Sequence, residues 1–192
     1  MISKYFEKYC SFYLSKYWVN KKKFENILKL KITKDFFQKK ISLEKKTEYL
    51  NEISKVIIFY ENGGFFDEKK LIDFKIESFK NKGYSIKKIQ LSLRKNFFDQ
   101  KLISDRIKNL ELEDGIEAKL IDKYLSKSGH LKKIKINMNK SEVEKVLKKL
   151  LSQGFKYNQI VKYLKEKHKL YDFNWPNITS IQIRKYTRNF WH

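Results

Sequence analysis

Gly83-Tyr84-Ser85-Ile86-Lys87-Lys88-Ile89 returns later in the chain as Gly154-Phe155-Lys156-Tyr157-Asn158-Gln159-Ile160. Both stretches carry a glycine, an adjacent aromatic, a bulky apolar residue and an isoleucine at equal spacing. The physical reading is a helix–turn–helix joint. Glycine ends one helix in the left-handed region, the aromatic folds back over the turn, and a capping residue starts the next helix at a steep angle. Asn20, followed by Phe24 and Leu28, reads as a first copy without the glycine. A unit of about 60 residues with three helices, used three times, accounts for the length. Three-helix units of that size bury too little surface alone, so neighbours are expected to stack into an elongated array of about nine helices.

Working outward, apolar residues recur at helical spacing almost throughout. Tyr5, Phe6, Tyr9, Phe12, Tyr13 and Tyr17 form one aromatic stripe, with Cys10 among them as a core residue. Asn20 caps the next helix, which turns Phe24, Ile27 and Leu28 to one face. Residues 31–42 fit neither helix nor loop cleanly, although Phe36 and Phe37 are expected to be buried. Leu50, Ile53, Ile57 and Tyr60 make a further stripe that ends at Asn62-Gly63-Gly64, where Gly64 suits a left-handed cap. Asp67 and Ser85 cap the helices carrying Ile72, Ile76, Phe79 with Leu71 and Phe74, and then Ile86, Ile89, Leu93. Asp99 caps the one carrying Ile103, Ile107 and Leu110, and Ile116, Leu120 and Tyr124 continue the pattern. Ser141 is the expected cap for Val143, Leu147, Leu150 and Leu151. Strict strand alternation occurs only at Lys132–Met138. The expected fold class is all-α.

The composition narrows the function. The 192 residues hold 44 basic and 22 acidic groups, a formal net charge of +22. Forty of the basic residues are lysine and four are arginine (Arg94, Arg106, Arg184, Arg188). Lysine is a point charge without the bidentate fork of arginine, so such a surface reads phosphate density better than base sequence. The charge is uneven: residues 1–60 carry +8, residues 61–125 carry +2 and residues 126–192 carry +12. The near-neutral middle keeps many acids, among them Glu111, Glu113, Asp114 and Glu117. One cysteine excludes an intramolecular disulfide framework, and the absence of an 18-residue apolar run excludes a spanning helix. A cytoplasmic monomer without a membrane contact is expected. His130, His168 and His192 lack companion-ligand spacing, and Gly63-Gly64 is not followed by a phosphate-loop lysine. Neither a cofactor nor a catalytic constellation is expected.

The stretch Gly64-Phe65-Phe66-Asp67-Glu68-Lys69-Lys70, continuing to Gly83–Ile89 and on to Leu93, resembles the middle repeat of the RecX family, bacterial regulators of the RecA recombinase. Lys148-Lys149-Leu150-Leu151-Ser152-Gln153-Gly154-Phe155-Lys156-Tyr157 looks like its third repeat, and Leu14 through Leu28 like its first. The resemblance covers roughly residues 10–166 in the family's order, alongside the three repeats read from the chain at 1–60, 61–125 and 126–169 and an extension at 170–192. Two positions depart from the pattern. Ile72 stands where the family prefers alanine, and Phe97 where it prefers a helix-ending glycine. A phenylalanine is strained in the left-handed region, so Asn96 is expected to take that conformation, or the helix to end differently.

The resemblance implies a non-enzymatic modulator that binds the RecA filament on single-stranded DNA, along its helical groove, and restrains recombination and the SOS response. Lys21, Lys22, Lys87, Lys88, Lys132, Lys133 and Arg184 are the candidate contacts to DNA or filament, and Gly64, Gly83 and Gly154 the structural turns. Two other readings stay open from the residues alone. One is a helix-turn-helix DNA-binding protein, against which the scarcity of arginine counts. The other is a basic RNA- or ribosome-associated protein.

Overall fold

The computed structural model describes residues 2–129, 139–170 and 175. Among these residues the fold is all-α, with nine helices: α1 Lys4–Lys16, α2 Lys21–Phe37, α3 Leu43–Asn62, α4 Glu68–Asn81, α5 Ile86–Lys95, α6 Gln100–Leu112, α7 Ile116–Lys127, α8 Lys140–Ser152 and α9 Tyr157–His168. None of them is long and apolar enough to cross a membrane. The strand-like alternation at 132–138 lies outside the described residues.

Most helix ends are settled by short-range chemistry. Asn20, Ser42, Asp67 and Ser85 each accept a hydrogen bond from the backbone N–H three residues on, the standard way to satisfy an otherwise orphaned donor. For α8 the cap is Asn139 rather than Ser141. Its side chain takes the Glu142 N–H while the Glu142 carboxylate takes the Asn139 N–H, a reciprocal pair that Ser141, already inside the helix, has no geometry to form.

The opposite ends close through one recurring turn. The N–H groups of Gly64 and Phe65 reach back to Glu61 and Tyr60, those of Gly83 and Tyr84 to Lys80 and Phe79, and those of Gly154 and Phe155 to Leu151 and Leu150. The three glycines have φ of 78°, 70° and 88°, in the left-handed region as expected. The aromatic after the glycine does fold back: Phe65 meets the Tyr60 ring edge-on at 5.4 Å, and Tyr84 stacks on Phe79 at 5.3 Å. A fourth copy, Lys39-Lys40 bonded to Phe36 and Asp35, uses a lysine at φ 54° and ends α2. Residues 31–37 are therefore the last two turns of that helix.

The chain divides into two compact units, Met1–Asp73 with Lys95–Gln100, and Phe74–Arg94 with Lys101–His192. In the first, α2 packs along α3 over a core of Phe6, Cys10, Leu14, Phe24, Leu28, Ile32, Ile53, Val56, Ile57 and Tyr60. Phe36 is half-buried, but Phe37 is 76 % exposed, because α2 continues straight through it and only one face of a helix can turn inward. Phe12 and Leu50 likewise lie outside the stripes assigned to them, with Tyr49 taking the inner position beside Tyr5 and Phe6.

In the second unit α9 packs against α7 and α8, burying Leu120, Ile121, Leu125, Val143, Leu147, Leu150, Leu151, Phe155, Ile160, Tyr163 and Leu164. Phe74 is exposed rather than part of the α4 stripe. Packing between successive helices in both units is that of a helical repeat array. Equivalent contacts, described next, recur when α1–α3, α4–α6 and α7–α9 are taken as successive triplets. In that register the boundary at 125/126 falls inside α7, and Gly83 and Gly154 occupy different joints: first to second helix for Gly83, second to third for Gly154.

Candidate nucleic-acid interface

Each second helix of the first two triplets begins with a cap that faces outward from its own helix as well as inward. Asn20 caps α2 and donates its side-chain N–H to the Asn96 carbonyl at 2.7 Å, while Lys23 donates to the Asn96 side-chain oxygen at 2.7 Å. Ser85 caps α5 and donates its hydroxyl to the Gln153 carbonyl at 2.7 Å, while Lys88 donates to the Gln153 side-chain oxygen at 2.8 Å. The same grammar thus serves both units: a cap, a lysine three residues on, and a distant amide residue that receives both. Asn20 and Ser85 are 3 % and 0 % exposed, so each bond also satisfies a polar atom that water does not reach.

The receiving ends match as well. Asn96-Phe97-Phe98 and Gln153-Gly154-Phe155 each read amide, left-handed residue, buried phenylalanine, four residues ahead of α6 and α9 respectively. Phe97, not Asn96, adopts the left-handed conformation, with φ 62°. Asn96 stays in place because both its carbonyl and its side chain are held from α2, which leaves the residue after it to make the turn. A phenylalanine there carries about 1–2 kcal/mol of backbone strain. Asn96, Gln153 and Lys23 were not among the candidate contact residues, and Asn96 was expected only as a helix end. The only signal was the paired pattern of cap plus lysine and amide plus phenylalanine.

The lysines expected to contact DNA fall into different environments. Lys21 opens α2 and pairs with Glu61 at 2.7 Å on the surface. Lys22 and Lys87 are exposed on the first turns of α2 and α5. Neither helix has an acid in its first turn, so these cations add to the positive end of the helix dipole instead of offsetting it. Lys88 is drawn inward, over the Tyr84 ring at 4.2 Å. Burial, and then the Lys149 charge, pull its amine below the usual lysine range. Lys132, Lys133 and Arg184 lie outside the described residues.

A polar knot near the end of α2 ties α1 to α2 in the first unit. Asp35, 4 % exposed, accepts hydrogen bonds from the Tyr5 hydroxyl at 2.8 Å and from Lys31. Burial disfavours its ionised form, but the bonds from Lys31 and Tyr5 and the charges of Lys31 and Lys40 outweigh that and hold its carboxyl below the usual carboxylate range. Because the folded value lies below the unfolded one, the stabilisation is fully present above about pH 4–5 and is lost as pH falls through the folded value. Asp35→Asn is expected to cost about 1–3 kcal/mol at pH 7. In urea melts the gap to the parent protein should narrow steadily below about pH 4. A gap independent of pH would mean that the charge does not hold the knot. Cys10, fully buried, has its thiol pushed up to about 12 by burial and by Glu52, which leaves it unreactive.

The acids of the middle gather at the α6–α7 joint in the second unit. Glu111, Glu113, Asp114, Glu117 and Glu166 line one groove, with Glu113 paired to Lys80 at 3.0 Å and Glu111 to Lys156 at 3.9 Å. Burial raises the Glu117 carboxyl above the ordinary glutamate value, with Lys156 opposing and Glu111 reinforcing the shift. The arrangement offers cationic helix starts for phosphate and an acidic groove for basic side chains. Compared with protein-family models, with curated proteins and with solved structures, the chain matches none.

Proposed function

We propose that this protein is a non-enzymatic modulator of the RecA recombinase, binding along the groove of its filament on single-stranded DNA and restraining recombination and SOS activity. The observation that carries the reading is Phe97. It occupies the position where the resembled RecX pattern has a helix-ending glycine, and it adopts the glycine's conformation at φ 62° despite the strain. Lys39 and Lys169 adopt the same region, so what supports the reading is the place of Phe97 in the pattern and not its conformation alone. Helices in threes, capped at Asn20, Asp67 and Ser85, support the same reading. Lysines at the repeat starts supply sequence-indifferent attraction to phosphate, and the acidic groove at α6–α7 suits basic loops of a protein filament.

The test is co-sedimentation with ATP-bound RecA filaments, run beside the DNA-dependent ATPase rate. With about five phosphates neutralised, binding to bare single strands should fall by about two orders of magnitude between 50 and 200 mM salt. Binding to the filament should fall less, because packed apolar contacts, unlike ion pairs, are not weakened by added salt, and the ATPase should slow. Equal binding to bare DNA and filament at 200 mM salt, or a tight preference for one duplex sequence, would sink the proposal.

A further inference from the structure

At one end of the first unit, the α1–α2 and α3–α4 joints enclose a groove of about 310 Å³. Leu14, Val19 and Leu71 form its buried floor. Its rim is aromatic: Tyr17, Trp18 and Phe65 are 52 %, 65 % and 52 % exposed. Lys70 closes the rim, and Asp67 is its one acid, paired with Lys70 at 3.2 Å. The rings sit on fixed backbone. Tyr17 ends α1 with its N–H on the Tyr13 carbonyl at 2.9 Å, and Trp18 is followed by the buried Val19 and the capping Asn20. Phe65 is held by its N–H to the Tyr60 carbonyl at 3.2 Å.

From this we infer a stacking site for the unpaired bases of single-stranded DNA on Tyr17, Trp18 and Phe65, with Lys70 on the rim for a backbone phosphate. Every base has a π-face, so exposed aromatic rings beside cations grip single strands without reading sequence, whereas duplex DNA hides its faces in the stack. Charge complementarity points to a polyanion as occupant: the first unit as a whole carries a net charge of +6. Of the nearby acids, Asp67 is paired with Lys70 and Glu61 with Lys21. The choice of DNA as the strand rests on the function proposed above, while the stacking chemistry rests on the groove itself.

The experiment compares a fluorescein-labelled oligothymidylate of about 15 nucleotides with an abasic strand of equal length, by anisotropy at low salt. Trp18→Ala and Phe65→Ala should each weaken oligothymidylate binding about tenfold and leave the abasic strand nearly unaffected, since its phosphates remain but its stacking faces are gone. Trp18→Phe should keep most of the affinity. Equal losses on both strands, or none on either, overturn the site, as does tighter binding of oligouridylate than of oligothymidylate. Self-association of the protein that Trp18→Ala abolishes would assign the groove to a second copy of the chain and overturn it too. The recombinase ATPase separates the two proposals. A slowed ATPase without base-dependent binding removes the stacking site alone, and base-dependent binding without an ATPase effect removes the modulator reading alone.

Discussion

Gly83→Ala is expected to destabilise the protein by about 2–5 kcal/mol, beyond the ~1 kcal/mol that a turn glycine alone implies. Two costs combine. Gly83 has φ 70°, where an alanine pays about 1–2 kcal/mol. A Cβ there would also stand 2.4 Å from the Tyr124 nitrogen and 2.7 Å from its Cα. Those are backbone atoms of α7, and they cannot rotate aside as a side chain would. α7 is itself held by Lys123 on Asn81 at 2.9 Å and by Tyr124 against Phe155 at 6.2 Å, so the clash forces helices apart and adds about 1–3 kcal/mol of overpacking. Gly64→Ala is the control. At φ 78° it pays the backbone cost, but its Cβ would meet nothing within 4 Å, so about 1–2 kcal/mol is expected. Urea denaturation of the two variants measures the difference. If they cost the same, the approach of the turn to α7 is not the constraint.

Phe24→Ala should cost a comparable 3–5 kcal/mol, for a different reason. Phe24 is fully buried on α2, with ring centroids of Phe66, Tyr13 and Tyr60 at 5.6, 5.7 and 6.4 Å. Truncation removes the transfer energy of the ring, three aromatic contacts and the filling of the space between α1, α2 and α3, none of which can relax independently. Phe24→Leu, which keeps most of the volume, should lose less than half as much. A loss for Phe24→Ala below about 1 kcal/mol in urea melts would mean that the cluster collapses onto the gap.

These two sites mark the limit of what could be read in the residues. Asn20, Asp67 and Ser85 were legible as caps, and Gly64, Gly83 and Gly154 as left-handed ends, because each device closes within about five residues and leaves a local signature. The contact that makes Gly83 critical joins it to Tyr124, and no local window contains both. The same distance hides the interlocks. Asn20 and Ser85 looked like ordinary caps, yet each also fastens a residue 76 or 68 positions away.

Local likeness was also misleading about register. The turns at Gly83 and Gly154 share geometry and spacing, so they looked like the same point of a repeat, but the interlocks show that Gly154 corresponds to Phe97. A left-handed phenylalanine was the less economical choice by intrinsic preference, with Asn96 beside it. Tertiary bonds to Asn96 reversed that preference. Lys88 shows the matching limit for the interface: a basic residue at a helix start reads as a phosphate contact until its amine is seen on Gln153 and over Tyr84.

Periodicity, caps and composition act locally or by simple sum, so the residues alone establish that the chain is helical, where most helices begin and end, and that it is strongly basic. The phase of the triplets, the left-handed Phe97, the inward turn of Lys88 and the aromatic rim of Tyr17, Trp18 and Phe65 come instead from tertiary packing. Each depends on which distant surface a helix end meets, and that is fixed by packing between segments far apart in the chain.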